Sequence, residues 1–318
     1  MTVGKSTKIY IAGHTGMVGS ALVRRLKRDG FDNFIFRSHQ GLDLRNQKAV
    51  SEFLQKEKPE FVMLAAAKVG GIHANDTDRG QFLYENLMIQ NNVIHAAHEN
   101  GVKKLMFLGS ACIYPRDASQ PIKEEHLLTD VLEPTNEPYA IAKIAGIKLC
   151  ENYFKQYNDN FISVMPNNLY GINDNFDLKS SHVLPALMRK FHEAKEGNVD
   201  FVEVWGTGEP LREFLHVDDL ADACVFLMQN LDAGELYGQN ISHINIGTGE
   251  ELSIRELALL IKDILNYPGD LQFNSDYPDG MPRKLLDITR LNVLGWESKI
   301  KLMDGIKSTY QWYLQNKM

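Results

Sequence analysis

The fold is decided by residues 8–19, which read KIYIAGHTGMVG. A short β-type run at 8–12 leads into glycines at positions 13, 16 and 19, and a helical pattern follows over 16–28. Glycines at such a turn let a pyrophosphate approach the N–H groups at a helix N-terminus. The spacing is GxxGxxG rather than the commoner GxGxxG, and a plain strand-to-helix turn can use the same residues. The position after a first strand nevertheless favours a dinucleotide site.

Outward from this turn, β-type runs alternate with helical patterns. Strands are predicted at 8–12, 33–37, 61–66, 103–109 and 161–165, and helices at 16–28, 47–56, 82–99 and 137–157. This alternation predicts an α/β fold with a Rossmann-type doubly wound parallel sheet. Residues 170–181 read as a polar loop, and 243–247 resemble one more strand of the sheet. We therefore expect a cofactor domain at 1–169 and 213–247, and a smaller α/β substrate domain at 170–212 and 248–318.

Composition narrows the range of partners. The 318 residues contain 34 Lys and Arg against 41 Asp and Glu, which gives a formal net charge of −7. An acidic chain disfavours nucleic acid or an anionic membrane as its main partner. The 3 cysteines are scattered and form no CxxC, so we expect neither a disulfide framework nor a metal site. No signal-peptide pattern and no membrane-length apolar run is visible, which predicts a cytoplasmic protein.

The end of the second predicted strand indicates the cofactor. NAD-binding sheets tend to carry an acidic residue there, whereas NADP-binding sheets place a cation near the 2′-phosphate. This strand ends at Arg37 and has no carboxylate, which favours NADP(H). A solvated surface charge is the alternative reading of Arg37.

Three polar residues predict a catalytic site. Tyr139 and Lys143 lie four residues apart on one face of the predicted helix 137–157. A cation beside a phenol favours the phenolate and lowers its pKa from about 10, which suits a general acid. Ser110 follows the fourth strand, at the edge where α/β sheets bind ligands. An exposed helix pair and a turn-capping serine are the plainer readings, but the position downstream of a glycine turn favours chemistry.

Together, the glycine turn and these three residues resemble the extended short-chain dehydrogenase/reductase family. The resemblance implies that Ser110, Tyr139 and Lys143 polarise a carbonyl group and protonate its oxygen as a nicotinamide delivers hydride. Longer strings are similar to the GDP-4-keto-6-deoxymannose epimerase/reductases of that family, and they span nearly the whole chain. They are AGHTGMVGS (12–20), LAAAKVGGI (64–72), LGSACIYP (108–115), LEPTNEPYAIAKIAG (132–146), REFLHVDD (212–219) and PRKLLD (282–287).

The closer resemblance implies an NADPH-dependent epimerase/reductase that makes GDP-β-L-fucose. Cys112 and His182 would be the acid/base pair that inverts C3 and C5, since both side chains can titrate near neutral pH. The cofactor would contact Gly13, His14, Thr15, Gly16, Met17, Val18, Gly19, Arg37, His39, Leu108, Gly109, Lys143, Pro166, Asn167, Asn168, Leu169 and His182. The GDP-sugar would contact Lys190, Trp205, Arg212, Asp279 and Lys284, because a diphosphate calls for cations and a base for an aromatic wall.

Three positions depart from the family pattern. Thr15 and His39 stand where bacterial relatives commonly carry arginine near the 2′-phosphate. The loss of both cations counts against NADP, whereas Arg37 remains and no aspartate replaces them. Lys190 replaces an arginine, which turns a bidentate phosphate contact into a point charge.

The family also implies a homodimer, in which helices 82–99 and 137–157 of each subunit form a four-helix bundle. Two other functions compete with the epimerase/reductase reading. A UDP-hexose 4-epimerase would retain its cofactor and would not need Cys112 or His182. A cofactor-sensing protein would have kept the fold and lost turnover.

Overall fold

The computed structural model describes residues 4–277 and 279–316. Its centre is a sheet of 6 strands in the order β10-β5-β4-β3-β1-β2, with every neighbouring pair parallel. The strands of this sheet are β1 (Ile9–Ala12), β2 (Phe34–Ile35), β3 (Phe61–Leu64), β4 (Lys104–Leu108), β5 (Phe161–Pro166) and β10 (Ile244–Ile246). The predicted doubly wound α/β fold is confirmed.

Helices cover both faces of the sheet, and others pack with the smaller sheets in a separate core. They are α1 (Met17–Arg28), α2 (Gln47–Glu57), α3 (Ile72–Thr77), α4 (Arg79–Glu99), α5 (Glu137–Tyr157), α6 (Val183–Glu196), α7 (Val217–Asn230), α8 (Ala233–Tyr237), α9 (Ile254–Leu265), α10 (Thr289–Val293) and α11 (Leu302–Asn316). Short 3₁₀ turns span Ala111–Ile113 and Glu124–His126.

Small sheets carry the remaining strands. Their strands are β6 (Asn168–Tyr170), β7 (Phe201–Trp205), β8 (Leu211–Arg212), β9 (Phe214–His216), β11 (Leu252–Ser253), β12 (Asp270–Asn274) and β13 (Arg283–Lys284). Strand β6 pairs with β9, β7 pairs with β12, and β8 lies between β11 and β13. The last of these sheets sets Arg212 beside Lys284 in parallel register.

Apolar burial explains the layers. One core lies between the sheet and α1 with α7, and a second lies between the sheet and α2, α4 and α5. A third core is formed by α6, α9 and α11 with β7. Leu286, Leu291 and Trp296 pack into the first two cores, although residues 248–318 were expected in the substrate domain. After residue 248 the chain therefore packs once more against the central sheet.

The predicted elements differ from the structure mainly at their ends. Strand β2 contains only Phe34 and Ile35, because it is an edge strand that pairs with just two residues of β1. Helix α4 begins at Arg79, three residues earlier than predicted. The strand expected at 243–247 is present as β10, beside β5. Across the described residues, no helix combines the length and apolar character that crossing a membrane requires.

Candidate active site

A cavity of about 810 Å³ lies along the C-terminal ends of β1, β3, β4 and β5. Most of the predicted site residues line it. They are Gly13, Thr15, Gly16, Met17, Val18, Gly19, Arg37, His39, Leu108, Gly109, Ser110, Tyr139, Lys143, Pro166, Asn167, Asn168, Leu169, His182 and Lys284. The predicted residues His14, Cys112, Lys190, Trp205, Arg212 and Asp279 are not in its wall.

The glycine turn is shaped for a phosphate group. Gly13 has a φ of +84°, and a Cβ there would lie 2.9 Å from the backbone nitrogen of Ala66. Gly16 donates a 3.0 Å hydrogen bond to the Gly13 carbonyl and caps α1. The first turn of α1 carries no acidic side chain, so the positive end of its dipole is uncompensated within the chain. This arrangement suits the pyrophosphate of a dinucleotide.

The end of the cavity at Arg37 holds more paired charge than the sequence predicts. Arg37 donates a 2.6 Å hydrogen bond to Glu57, from the C-terminal turn of α2. Its other terminal nitrogen donates to the Phe36 carbonyl at 2.7 Å. Thr15 and His39 also line this part of the cavity. The cation expected to bind the 2′-phosphate is therefore present but already shared with a carboxylate.

Tyr139 and Lys143 face the cavity from α5. The Lys143 ammonium lies 5.6 Å from the centre of the Tyr139 ring and donates a 2.8 Å hydrogen bond to the Leu108 carbonyl. Burial raises the pKa of Tyr139 well above its ordinary value, so the expectation that Lys143 lowers that pKa is wrong for this structure. Burial also lowers the pKa of Lys143 to about 8, although the nearby Cys112 opposes this shift. At neutral pH the site therefore holds a neutral phenol beside a cation.

Cys112 lies behind the cavity wall, two residues beyond Ser110. The thiol is buried, and its pKa is raised by burial, while Lys284, a hydrogen bond with Ser110 and Lys143 act in the opposite direction. His182 is the N-cap residue of α6, and its side chain lines the cavity. Burial and the charge of Lys284 lower the pKa of His182. The charge of Lys284 thus acts on both members of the predicted acid/base pair.

Two cationic side chains, Arg212 and Lys284, lie next to each other on strands β8 and β13. Arg212 and Lys284 are partners in parallel strands, and burial lowers the pKa of each. Neither side chain forms an ion pair with the chain over residues 4–277 and 279–316. Asp279 accepts hydrogen bonds from the Thr207 backbone at 2.7 Å and hydroxyl at 2.8 Å, and its charge acts on Arg212. Asp279 therefore holds the turn after β7.

An aromatic plate lies at the end of β7. Trp205 stacks on Tyr277 with ring centres 4.3 Å apart, and both rings are partly exposed. The Lys190 ammonium lies 4.6 Å from the centre of the Trp205 ring and donates to the Glu203 carbonyl at 2.9 Å. Two predicted substrate residues are thereby brought together, and Tyr277 is an addition that the sequence analysis missed. Tyr277 follows β12, and the pairing of β12 with β7 cannot be predicted from neighbouring residues in the sequence.

Two acidic residues of the site also escaped the sequence analysis. Asp174 lines the cavity, one of its carboxyl oxygens is buried without a hydrogen-bond partner, and burial raises its pKa to about 7. Glu213 is fully buried behind Asn167. It directly follows Arg212 in the REFLHVDD string, which was the available signal. No group of three or more His, Cys, Asp or Glu arranged to hold a metal ion occurs among the described residues.

A parallel sheet with a glycine turn after its first strand and a Tyr-Lys pair on the long helix between its fourth and fifth strands is typical of a class of nicotinamide-dependent enzymes. Residues 9–247 match the NAD dependent epimerase/dehydratase family, and the chain belongs to it. Several relatives within that family are named GDP-L-fucose synthase. The chain is 58% identical to the putative GDP-L-fucose synthase 2 of Arabidopsis thaliana, with 98% of this chain and 93% of the relative covered.

Further relatives extend this grouping. The GDP-L-fucose synthase of Escherichia coli (strain K12) is 54% identical, with 97% of both chains covered. A solved structure titled as a GDP-mannoheptose C4 reductase from Campylobacter jejuni with NADP bound is 47% identical, with a TM-score of 0.90. That match covers 98% of this chain and 99% of the other. The predicted family, fold and class of cofactor are confirmed.

Proposed function

We propose that the protein converts GDP-4-dehydro-6-deoxy-α-D-mannose to GDP-β-L-fucose, by epimerising C3 and C5 and then reducing C4 with NADPH. The observation that carries this proposal is that the groups for two chemistries lie at one cavity. Tyr139 and Lys143 line it and provide for reduction. His182 lines it as well, and Cys112 lies just behind its wall, within hydrogen-bond reach of Ser110; this pair provides for proton exchange. Lys284 influences the pKa of both Cys112 and His182. The GDP-L-fucose synthase relatives support the choice of substrate.

For the reduction, the glycine turn and residues 167–169 would hold NADPH, which would supply the hydride for C4. Tyr139 is protonated at neutral pH, because burial raises its pKa, and it donates a proton to the C4 oxygen. The Lys143 cation, which is fastened to the Leu108 carbonyl, stabilises the phenolate that remains. Ser110 donates a hydrogen bond to the same substrate oxygen. The residues of this chain therefore stabilise the charge that develops as the hydride arrives.

For the epimerisation, the C4 ketone acidifies the protons on C3 and C5. A raised pKa keeps Cys112 as a thiol, and a lowered pKa keeps His182 as a neutral imidazole. At rest the pair thus combines one proton donor with one proton acceptor. Inversion requires removal of a proton from one face and delivery to the other, which such a pair can perform.

The diphosphate is assigned to Arg212 and Lys284, whose neighbouring charges lack carboxylate partners in the part of the chain described by the structure. Bringing a dianion to this cationic pair relieves the repulsion between them. The nucleobase is assigned to the plate of Trp205 and Tyr277, with Lys190 beside it. We also propose that residues 1–169 and 213–247 form the cofactor domain and that residues 170–212 and 248–318 form the substrate domain. The cavity would then lie between these two domains.

A homodimer is part of the proposal. Helices α4 and α5 pack together, yet Tyr84 and Ile141 remain 62% and 42% exposed. Burying such apolar surface against a second copy is favourable, at roughly 25 cal/mol per Å². A four-helix bundle of α4 and α5 from two subunits would bury it.

A reductase that acts only at C4 is the second candidate. It is favoured by the similarity to the GDP-mannoheptose C4 reductase. The two candidates separate when NADPH oxidation is followed in heavy water with GDP-4-dehydro-6-deoxymannose. The proposal expects NADPH oxidation and deuterium at C3 and C5 of the product. Oxidation without deuterium would leave the C4 reductase, and binding of NADPH without turnover would favour a sensing protein.

A further inference from the structure

Glu213 is a buried carboxylate that bonds to several separate parts of the chain. One of its oxygens accepts hydrogen bonds from the backbone nitrogens of Thr248 at 2.5 Å and Gly249 at 2.8 Å. The other accepts from the Leu286 nitrogen at 3.2 Å and from the Asn167 amide. No Lys or Arg forms an ion pair with Glu213 among residues 4–277 and 279–316. The Thr248 hydroxyl also donates to Glu213, at 3.3 Å. The solvation of Glu213 is therefore replaced by uncharged hydrogen-bond donors.

These bonds join the two sides of the cavity. Asn167 directly follows β5 on the cofactor side, and its amide also donates to the Lys284 carbonyl at 3.3 Å. The Glu213 carbonyl accepts a 2.8 Å hydrogen bond from Asn168. On the other side, Leu286 lies two residues beyond Lys284, so its bond to Glu213 fixes the strand that carries the cation. Arg212, the residue before Glu213, carries the neighbouring cation.

The packing around Glu213 leaves it no freedom. Gly247 approaches so closely that a Cβ there would lie 2.8 Å from the Glu213 carboxyl carbon. Glu213 itself is 0% exposed. A side chain held in this way sets the distance between the segments it bonds to.

We propose that Glu213 is a positioning residue that holds the Asn167 wall of the cofactor site in register with the Arg212–Lys284 cation pair. This inference rests on the proposed function and adds to it a residue that no contact with a ligand would reveal. Hydride transfer requires the sugar ring and the nicotinamide to meet at a defined distance, and a displacement of about 1 Å can cost a factor of roughly 100 in rate.

Glu213→Gln tests the proposal, because it preserves size but replaces one acceptor oxygen with an NH₂ group. That group must face either Thr248 and Gly249 or Leu286 and Asn167, which are hydrogen-bond donors in the present arrangement. Asn167 cannot rotate its amide without losing the 3.0 Å bond that its oxygen accepts from the Asn168 nitrogen. One side of the cavity should therefore be displaced.

Glu124→Gln is the matched control. Glu124 is another buried carboxylate, which accepts hydrogen bonds from the Asn245 nitrogen at 3.2 Å and from Arg290 at 2.6 Å, and it does not line the cavity. Both variants should lower the melting temperature. Only Glu213→Gln should also raise the KM for the sugar nucleotide and the Kd for GDP, because Arg212 and Lys284 are displaced. It should lower kcat as well, by up to the roughly 100-fold that a misplacement of about 1 Å can cost.

The measurements are GDP and NADP⁺ binding by calorimetry, with kcat and KM determined separately. A Glu213→Gln protein with lowered stability but with GDP affinity, KM and kcat within twofold of the wild type would overturn the positioning role. If Glu213→Gln does not fold, Glu213→Asp, which keeps both oxygens on a shorter chain, is measured against the same criterion. A wild-type protein that binds GDP but consumes no NADPH would instead refute the proposed function, while GDP affinity still reports on Glu213.

Discussion

The Lys143 ammonium donates a 2.8 Å hydrogen bond to the Leu108 carbonyl oxygen, which fastens α5 to the C-terminal end of β4. The bond fixes the position of Tyr139, one helical turn earlier, relative to Ser110, two residues beyond Leu108. Burial lowers the pKa of Lys143 to about 8. Since this value still lies above 7, the lysine remains mainly protonated at neutral pH. The arrangement thus joins the Tyr139 phenol and the Lys143 cation to one edge of the sheet.

Tyr139→Phe should reduce the rate of NADPH oxidation by a factor of about 10² to 10⁴, the usual contribution of a general acid. Binding of NADPH should persist, and exchange of the C3 and C5 protons with solvent should continue. The measurement is absorbance at the nicotinamide band, with exchange followed by NMR. Tyr84→Phe, at an exposed tyrosine of α4, is the control and should retain the wild-type rate. Reduction that survives in Tyr139→Phe would remove Tyr139 from the chemistry.

Cys112→Ser should abolish deuterium incorporation at C3 and C5, because an alcohol titrates far above the range of a thiol. The fold and NADPH binding should be retained. Mass spectrometry of the product formed in heavy water measures the effect. Cys224→Ser is the matched control, since Cys224 is also a buried free cysteine but lies in α7, outside the cavity wall. Exchange at the native rate in Cys112→Ser would refute its role as the acid or base.

Lys284→Met should move both limbs of the pH profile of proton exchange to higher pH. Burial and the Lys284 charge together lower the pKa of His182, so removing the charge raises that pKa and moves the acid limb upward. Lys284 also opposes the burial that raises the pKa of Cys112, so the alkaline limb moves in the same direction. The exchange rate should be measured at saturating substrate, because Lys284 is also assigned to the diphosphate. Lys179→Met, at an exposed lysine between β6 and α6, should leave both limbs in place. An unmoved profile in Lys284→Met would refute the electrostatic coupling.

Much of the fold follows from local pattern in the sequence. The alternation of strands and helices, the glycine turn and the helix 137–157 are local features, and each depends on residues close in the chain. The pairing of β7 with β12 is different, because Trp205 and Tyr277 are brought together by strands some seventy residues apart. Local periodicity contains no information about such a pairing. The aromatic plate could therefore be predicted only in part.

Electrostatics in the site were harder to predict than position. Tyr139 and Lys143 lie on one face of a helix, as the sequence predicts. The pKa of the Tyr139 phenol, however, depends on how completely the ring is buried. Phe82 of α4 contributes to that burial with an edge-on contact, in which the two ring centres are 6.3 Å apart. Arg37 is likewise where the sequence puts it, while its partner Glu57 comes from the far end of α2. Burial and partner choice arise from tertiary packing, which a motif does not specify.

Arg37→Ala should lower the preference for NADPH over NADH by about tenfold, since one charged hydrogen bond to the 2′-phosphate would be lost. Glu57→Gln should change the preference in the opposite direction, because it frees the guanidinium from its 2.6 Å partner. The ratio of kcat/KM for the two cofactors measures both effects. Arg28→Ala, at a mainly exposed arginine at the end of α1, should leave the ratio unchanged. An unaltered ratio in Arg37→Ala would mean that other groups bind the 2′-phosphate.

Asp222→Asn should lower the free energy of unfolding by about 1–3 kcal/mol, the range for charged hydrogen bonds, as measured by urea denaturation. Its carboxylate accepts from Arg25 at 2.6 Å, from Trp296 at 2.9 Å and from Lys299 at 3.0 Å, and so ties α7 to α1 and to the C-terminal segment. Burial alone would raise the pKa of Asp222, but these bonds outweigh it and lower the pKa to about 2.

Because the pKa of Asp222 in the folded state lies below its ordinary value of 3.8, the stabilisation is complete at neutral pH. It is lost as the pH falls from about 4 through about 2, so the wild type and Asp222→Asn should converge in stability there. Asp218→Asn is the control, since its 2.6 Å pair with Arg24 is 37% exposed on both sides and should contribute less than about 1 kcal/mol. Solvent screening should weaken the Asp218 pair but not the buried bonds of Asp222. Equal losses of unfolding free energy in the two variants at neutral pH would therefore contradict the prediction.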